Sequence, residues 1–218
     1  MPTVSVSKLL TGSAQLQVDV KGCTRCTADL PDVGVECPPS LLYPDGIEPP
    51  DPVRVLFVGV APPETGRHFY TDPLDKLRRG LFDVLKKLDR PCCSIDGFIA
   101  HGFFLVHTAK CAIRGTTKPN LSVSKFCASA HLQREVECLA PQGLCFLSKN
   151  IGFPVCTDLL SHWGHSGCVE FGEVTTVVVD DRRVQVVATA WPGRGHEALT
   201  KAHVRSLFCG LGLATCQS

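Results

Sequence analysis

Four of the thirteen cysteines in this chain stand at spacings that suit metal chemistry. Cys23 and Cys26 form a C-x2-C pair in a loop-like N-terminal stretch, and Cys111 follows a strand-like run in "LVHTAKC". Cys127 comes sixteen residues later, near the start of a helical pattern. Four thiolates from two distant segments can hold one tetrahedral ion or a cubane cluster, so the spacing alone leaves zinc and iron–sulfur both open. Others, such as Cys145, Cys156 and Cys209, lie in apolar segments and read as small buried residues. The odd total argues against a fully paired disulfide framework, and grouped cysteines fit a reducing cytosol. A secretory leader is not expected, because "MPTVSVSKLLTGSAQ" has no long apolar run.

The elements that must position these thiols follow from periodicity. A short helix is expected over 6–16, then a Pro-rich loop over 23–52. "VRVLFVGVA" is a continuous β-branched run, which marks a strand buried on both faces. "DPLDKLRRGLFDVLKKLD" carries Leu74, Leu77, Leu81, Leu85 and Leu88 at helical spacing. "GFFLVHTAKC" predicts a second strand, and "SVSKFCASAHLQREVECLA" a second helix with Ser122 as its N-cap. "GLCFLS" predicts a short strand, "FPVCTDLLSHWG" a short helix, and "EVTTVVVDDRRVQVVATAWP" two strands joined at Asp180 and Asp181. "HEALTKAHVRSLFCGLG" closes the chain as a helix with glycine after it.

Strands alternating with helices predict an α/β fold, a three-layer α/β/α domain with a mainly parallel central sheet. At 218 residues the chain reads as a single domain, with an N-terminal loop over 20–52 and an α/β core over 53–212. A formal net charge of +1 imposes no global basic field, although Lys and Arg cluster at 76–79, 86–90, 110–118 and 194–205. No stretch approaches the roughly 20 apolar residues of a membrane span. Ligands of such sheets bind outside the carboxyl ends of the strands, so the informative loops are 60–72, 107–118 and 191–196.

Those loops and cysteines together resemble the iron–sulfur members of the uracil-DNA glycosylase superfamily, families 4 and 5. The chain has "CTRC" at 23–26, "GVAP" at 59–62, "GRHF" at 66–69, "KC" at 110–111, and Cys127. "WPG" at 191–193 stands where the family has His-Pro. The resemblance spans roughly residues 20–212. It implies that Cys23, Cys26, Cys111 and Cys127 bind a [4Fe-4S] cluster, the alternatives being a zinc site or no metal at all. It further implies cleavage of the bond between a damaged base and its deoxyribose in DNA, with the base extruded into a pocket.

Residue by residue, the resemblance makes Gly59, Ala61 and Pro62 a tight turn that brings backbone N–H groups to the pocket. Phe69 becomes the ring that stacks on the extruded base, and the adjacent Tyr70 could share that role; the plainer alternative for Phe69 is a loop anchor packed on the sheet. Lys110, Arg114 and Arg194 become phosphate contacts, where solvated charge is the plainer alternative. Three pocket positions depart from the family pattern: Val60 where family 4 has Glu, His107 where an Asn is expected, and Trp191 where a His is expected. A neutral imidazole offers one donor and one acceptor, whereas indole has only an N–H to donate. Asp72 is the nearest match to the family 5 catalytic Asp, and Glu64 is a second carboxylate on the same loop. His196 is the candidate to reach the pocket near the missing His, the plainer alternative being a His that begins the closing helix and faces water. The expected function is a DNA glycosylase removing uracil or another deaminated base, acting as a cytoplasmic, nucleoid-associated monomer. The alternatives are a DNA-binding protein of the same fold that does not cut, and a binder of free nucleotide.

Overall fold

The structure is a computed structural model and describes residues 18–30, 35–36, 47–63, 68–113, 121–193 and 195–215. The helix expected over 6–16 lies outside those residues. Helix α1 (Arg25–Asp29) and the two-residue strand β1 (Val35–Glu36) come from the N-terminal loop. The core then runs β2 (Val55–Gly59), α2 (Lys76–Lys86), α3 (Ile95–Ala100), β3 (Phe103–His107), β4 (Ala112–Ile113) and α4 (Leu121–Cys127). A π-helical turn over Ala128–Leu132 leads into α5 (Gln133–Leu139), followed by β5 (Gly143–Leu147), α6 (Gly152–His162), β6 (Thr175–Val179), β7 (Arg182–Thr189) and α7 (Glu197–Gly210).

The main sheet has five strands in the order β3-β2-β5-β7-β6. All neighbours are parallel except the β6–β7 hairpin. Its turn residues Asp180 and Asp181 both have positive φ, the backbone of a tight primed turn whose twist matches the strands it joins. Strands β2, β3 and β5 are buried at every position, as continuous apolar runs covered on both faces must be. Helices α2 and α7 touch each other in one covering layer, and α4 and α6 touch each other in another. The three-layer α/β/α expectation therefore holds.

Local signals explain most boundaries. Asp75 caps α2, its carboxylate accepting the Arg78 N–H at 2.8 Å, and Leu77, Leu81 and Leu85 form the buried face. Leu74 does not belong to that face: it precedes the helix and is 66% exposed. Helix α4 begins at Leu121, so Ser122 is inside the helix and is not its N-cap. Helix α7 ends in a Schellman motif, with Leu213 N–H on Phe208 O at 2.7 Å, Gly212 N–H on Cys209 O at 3.0 Å, and Gly212 at φ 67°. Helix α3 was not expected from periodicity. Ser94 caps it, and its Phe98 joins Phe57, Phe69, Phe82 and Phe103 in an aromatic cluster. Nor was the antiparallel β1–β4 ribbon expected, which ties the N-terminal loop to the segment just after Cys111.

Candidate active site

Strands β2 and β3 run parallel in a register that places Gly59 beside His107. The pairing continues past both strand ends. Thr108 N–H donates to Gly59 O at 2.9 Å, Ala109 N–H to Val60 O at 2.8 Å, and the Thr108 hydroxyl to Val60 O at 2.7 Å. Zipped in this way, the two loops leave the carboxyl edge of the sheet together. A Cβ on Gly59 would meet His107 Cδ2 at 2.9 Å, so the imidazole lies across the glycine. Gly59 has no positive φ, and a side chain there would press on the imidazole.

A cavity of about 440 Å³ opens there, lined by Ala61, Phe69, Asp72, Leu74, Asp75, His107 and Trp191 among others. Its volume is ordinary for a small-molecule site. The segment 68–75 that forms one wall is braced by its own hydrogen bonds. Asp72 N–H donates to His68 O at 2.9 Å, the Asp72 carboxylate accepts the Leu74 N–H at 2.8 Å, and Asp75 N–H donates to Asp72 O at 3.1 Å.

The electrostatics of this wall favour uncharged imidazoles. Burial pushes the pKa of His107 down to about 3, helped by the nearby Lys110 ammonium and by His68. His107 is therefore neutral at physiological pH and presents one donor and one acceptor. His68 is also buried and its pKa is lowered by burial, with Asp75 opposing. Its Nε2 has no hydrogen-bond partner among the described residues. Burial raises the pKa of the Asp75 carboxyl, while the Arg78 and Leu77 N–H groups act the other way. Neither His68 nor Asp75 was singled out in the sequence. His68 stood inside "GRHF", and Asp75 could have been found as the N-cap before the Leu77 periodicity.

Trp191 follows β7 and is 37% exposed. Its loop is seated on α2 through a second close approach: a Cβ on Gly80 would lie 1.5 Å from Pro192 O. Gly193 plays the same part for the indole, since a Cβ there would meet Trp191 Cδ1 at 2.7 Å. Trp191 thus joins His107 in lining the same cavity.

Other expected residues fall elsewhere. Tyr70 does not share the cavity: its hydroxyl donates to Leu105 O and accepts from Leu105 N–H, both at 2.8 Å, and so anchors the edge strand β3. Phe69 lines the cavity yet is 1% exposed, packed edge-on against Tyr70, Phe82 and Phe98. It is a core anchor that shows the cavity only an edge of its surface. Lys110 is not a phosphate contact. Its ammonium is 1% exposed, pairs with the equally buried Glu135 carboxylate and donates to His107 O. His196 is exposed at the start of α7 and does not line the cavity. The Val60 side chain is buried outside the cavity lining, and Pro62 is likewise not part of that lining. Glu64, Arg114 and Arg194 lie outside the described residues.

The four cysteines come together. Cys23, Cys26, Cys111 and Cys127 line one small cavity with His131 and Lys110. Lys110 N–H donates to Cys127 Sγ at 3.2 Å, and His131 Nε2 lies 3.3 Å from Cys23 Sγ. The π-helical turn that starts after Cys127 carries His131. Burial pushes the Cys127 thiol up to about 12, so a metal there must displace a proton. Among the described residues, no group of three or more His, Cys, Asp or Glu side chains is arranged to hold a metal ion. The donor set, four thiols converging from the N-terminal loop and the core, fits an iron–sulfur or zinc site by its chemistry.

The family model described as uracil DNA glycosylase superfamily matches residues 46–192. No curated protein matches the chain. No helix among the described residues is long and apolar enough to cross a membrane.

Proposed function

The chain belongs to the uracil DNA glycosylase superfamily, and from that we propose that it is a DNA glycosylase of base-excision repair that removes uracil or another deaminated base. One observation carries this reading: Ala61, Phe69, Asp72, His107 and Trp191 come from three separate loops and line one cavity. An extruded base enters that cavity and is held along its edge by the neutral His107 imidazole, which can match a base that both donates and accepts. Asp72 positions the attacking water. The His107 donor stabilises the negative charge that develops on the departing base. Phe69 supports the pocket wall through the aromatic cluster behind it.

Within the same reading, Cys23, Cys26, Cys111 and Cys127 hold a [4Fe-4S] cluster, as a member of the iron–sulfur branch would, with zinc as the alternative. The group would tie the N-terminal loop to the core, a structural role supported by the β1–β4 ribbon beside Cys111. Arg114 and Arg194 remain phosphate contacts in this proposal, and the protein acts as a monomer on DNA in the cytoplasm or nucleoid.

The test is base release by purified protein from single-stranded and duplex oligonucleotides carrying uracil, hypoxanthine or xanthine, scored as alkali-labile sites. Release of any one of these bases supports the reading. DNA binding without release would favour a non-cutting role, the reading that Trp191 favours by replacing an ionisable His with a group that can only donate.

A further inference from the structure

The base cavity has a larger neighbour. A second cavity of about 640 Å³ lies between α2, the 191–193 loop and the start of α7. Trp191 and Lys76 line both cavities, so the indole stands as a partition between them. The second cavity is polarised along α2. Lys76 and Arg79 lie at the end next to the base cavity, while Asp83 lies further along the helix, with Glu197 across the gap held by Lys87.

We propose that this second cavity seats the nucleotide adjacent to the extruded one on the same strand, its base stacked on Trp191. The phosphate joining the two nucleotides lies at Lys76 and Arg79. The Asp83 carboxylate beyond repels a further phosphate and accepts from base amino groups, so the seat takes one nucleotide and does not continue the strand. An aromatic partition suits this use because every base has a π-face to stack. The substrate class follows: a neighbour that enters the second cavity must also leave its partner, so the protein acts on unpaired DNA in preference to duplex. The inference rests on the glycosylase reading only in taking the first cavity as the seat of the extruded base.

Trp163 and Trp191 are the chain's two tryptophans, so Trp163→Phe isolates the Trp191 emission. Deoxyuridine monophosphate and the two dinucleotides d(UpA) and d(ApU) are titrated against this protein, with quenching as the readout. Calorimetry on the wild-type protein gives the same comparison without the substitution. One dinucleotide polarity is expected to bind at least about fivefold tighter than the mononucleotide, the low end of base–aromatic stacking. Trp191→Ala, read by calorimetry, should abolish that gain, and Arg79→Ala should weaken dinucleotide binding. Dinucleotides that bind no tighter than the mononucleotide, or a gain that survives Trp191→Ala, would overturn the proposal. Excision measured on the same protein separates the two readings: base release without the dinucleotide gain defeats the seat alone, and the gain without base release defeats the glycosylase alone.

Discussion

In the proposed function His107 reads the base: it lines the cavity, and burial keeps its imidazole uncharged. His107→Ala is expected to lower excision at least about tenfold, within the range of positioned polar and acid–base groups. Asp72→Asn keeps the acceptor that holds the Leu74 N–H but removes the charge, so a similar loss would assign the carboxylate to chemistry and not to loop shape. Full activity in both variants would remove these residues from the mechanism. The low pKa of His107 also has a stability consequence. In the unfolded chain the imidazole takes up a proton below its ordinary 6.5, while in the folded protein it does so only near 3. The unfolded state therefore binds more protons between those values, and stability falls as pH drops through them, by about 2 kcal/mol at pH 5 from this group. Urea unfolding at pH 7 and pH 5 should show that His107→Asn loses less stability on acidification than the wild type by about this amount. An unchanged pH difference would mean that His107 titrates normally.

At the level of elements, the site is assembled by glycines that let backbone and side chain approach. Gly59 in β2 accepts the His107 ring from β3, and Gly80 in α2 accepts the Pro192 carbonyl from the loop after β7. Gly80→Ala raises intrinsic helix propensity by about 1 kcal/mol, yet its methyl would lie 1.5 Å from Pro192 O. The loop must move, and Trp191 with it. The expected outcome is a folded protein with shifted tryptophan emission and excision reduced about tenfold or more, as misplacement of positioning groups produces. Native emission and activity would show that the loop is not held by this contact.

Across the whole molecule, Lys110 joins the cysteine cavity to the cavity that His107 lines. Its N–H donates to Cys127 Sγ, and its ammonium reaches His107 O and Glu135. Lys110→Met leaves the Glu135 carboxylate buried without this partner and is expected to cost about 3–5 kcal/mol, read as a lower denaturation midpoint. The double variant Lys110→Met with Glu135→Leu should recover much of that loss, because a well-packed apolar pair can replace a buried ion pair. No recovery would show that the residues act separately. Cys23→Ala is expected to abolish the brown absorbance of the proposed cluster and to make the N-terminal loop more susceptible to protease. An unchanged visible spectrum would sink the cluster assignment.

The strands β2, β3 and β5 and the amphipathic α2 were legible because their signals are local: apolar runs and a helical repeat are written in consecutive residues. That Cys23, Cys26, Cys111 and Cys127 line one cavity, and Asp72, His107 and Trp191 another, was also legible, because motif spacing around a parallel sheet places loop residues at its carboxyl edge. Tyr70 and Lys110 were not, and for His196 it is the plainer reading, a His that begins the closing helix and faces water, that the structure bears out. Tyr70 is bound to a backbone 35 residues away, and Lys110 to a carboxylate 25 residues away. His196 is carried clear of the cavity at the start of α7. Whether a polar side chain faces water, a ligand or a buried partner depends on which distant segment packs against it, and only tertiary structure decides that.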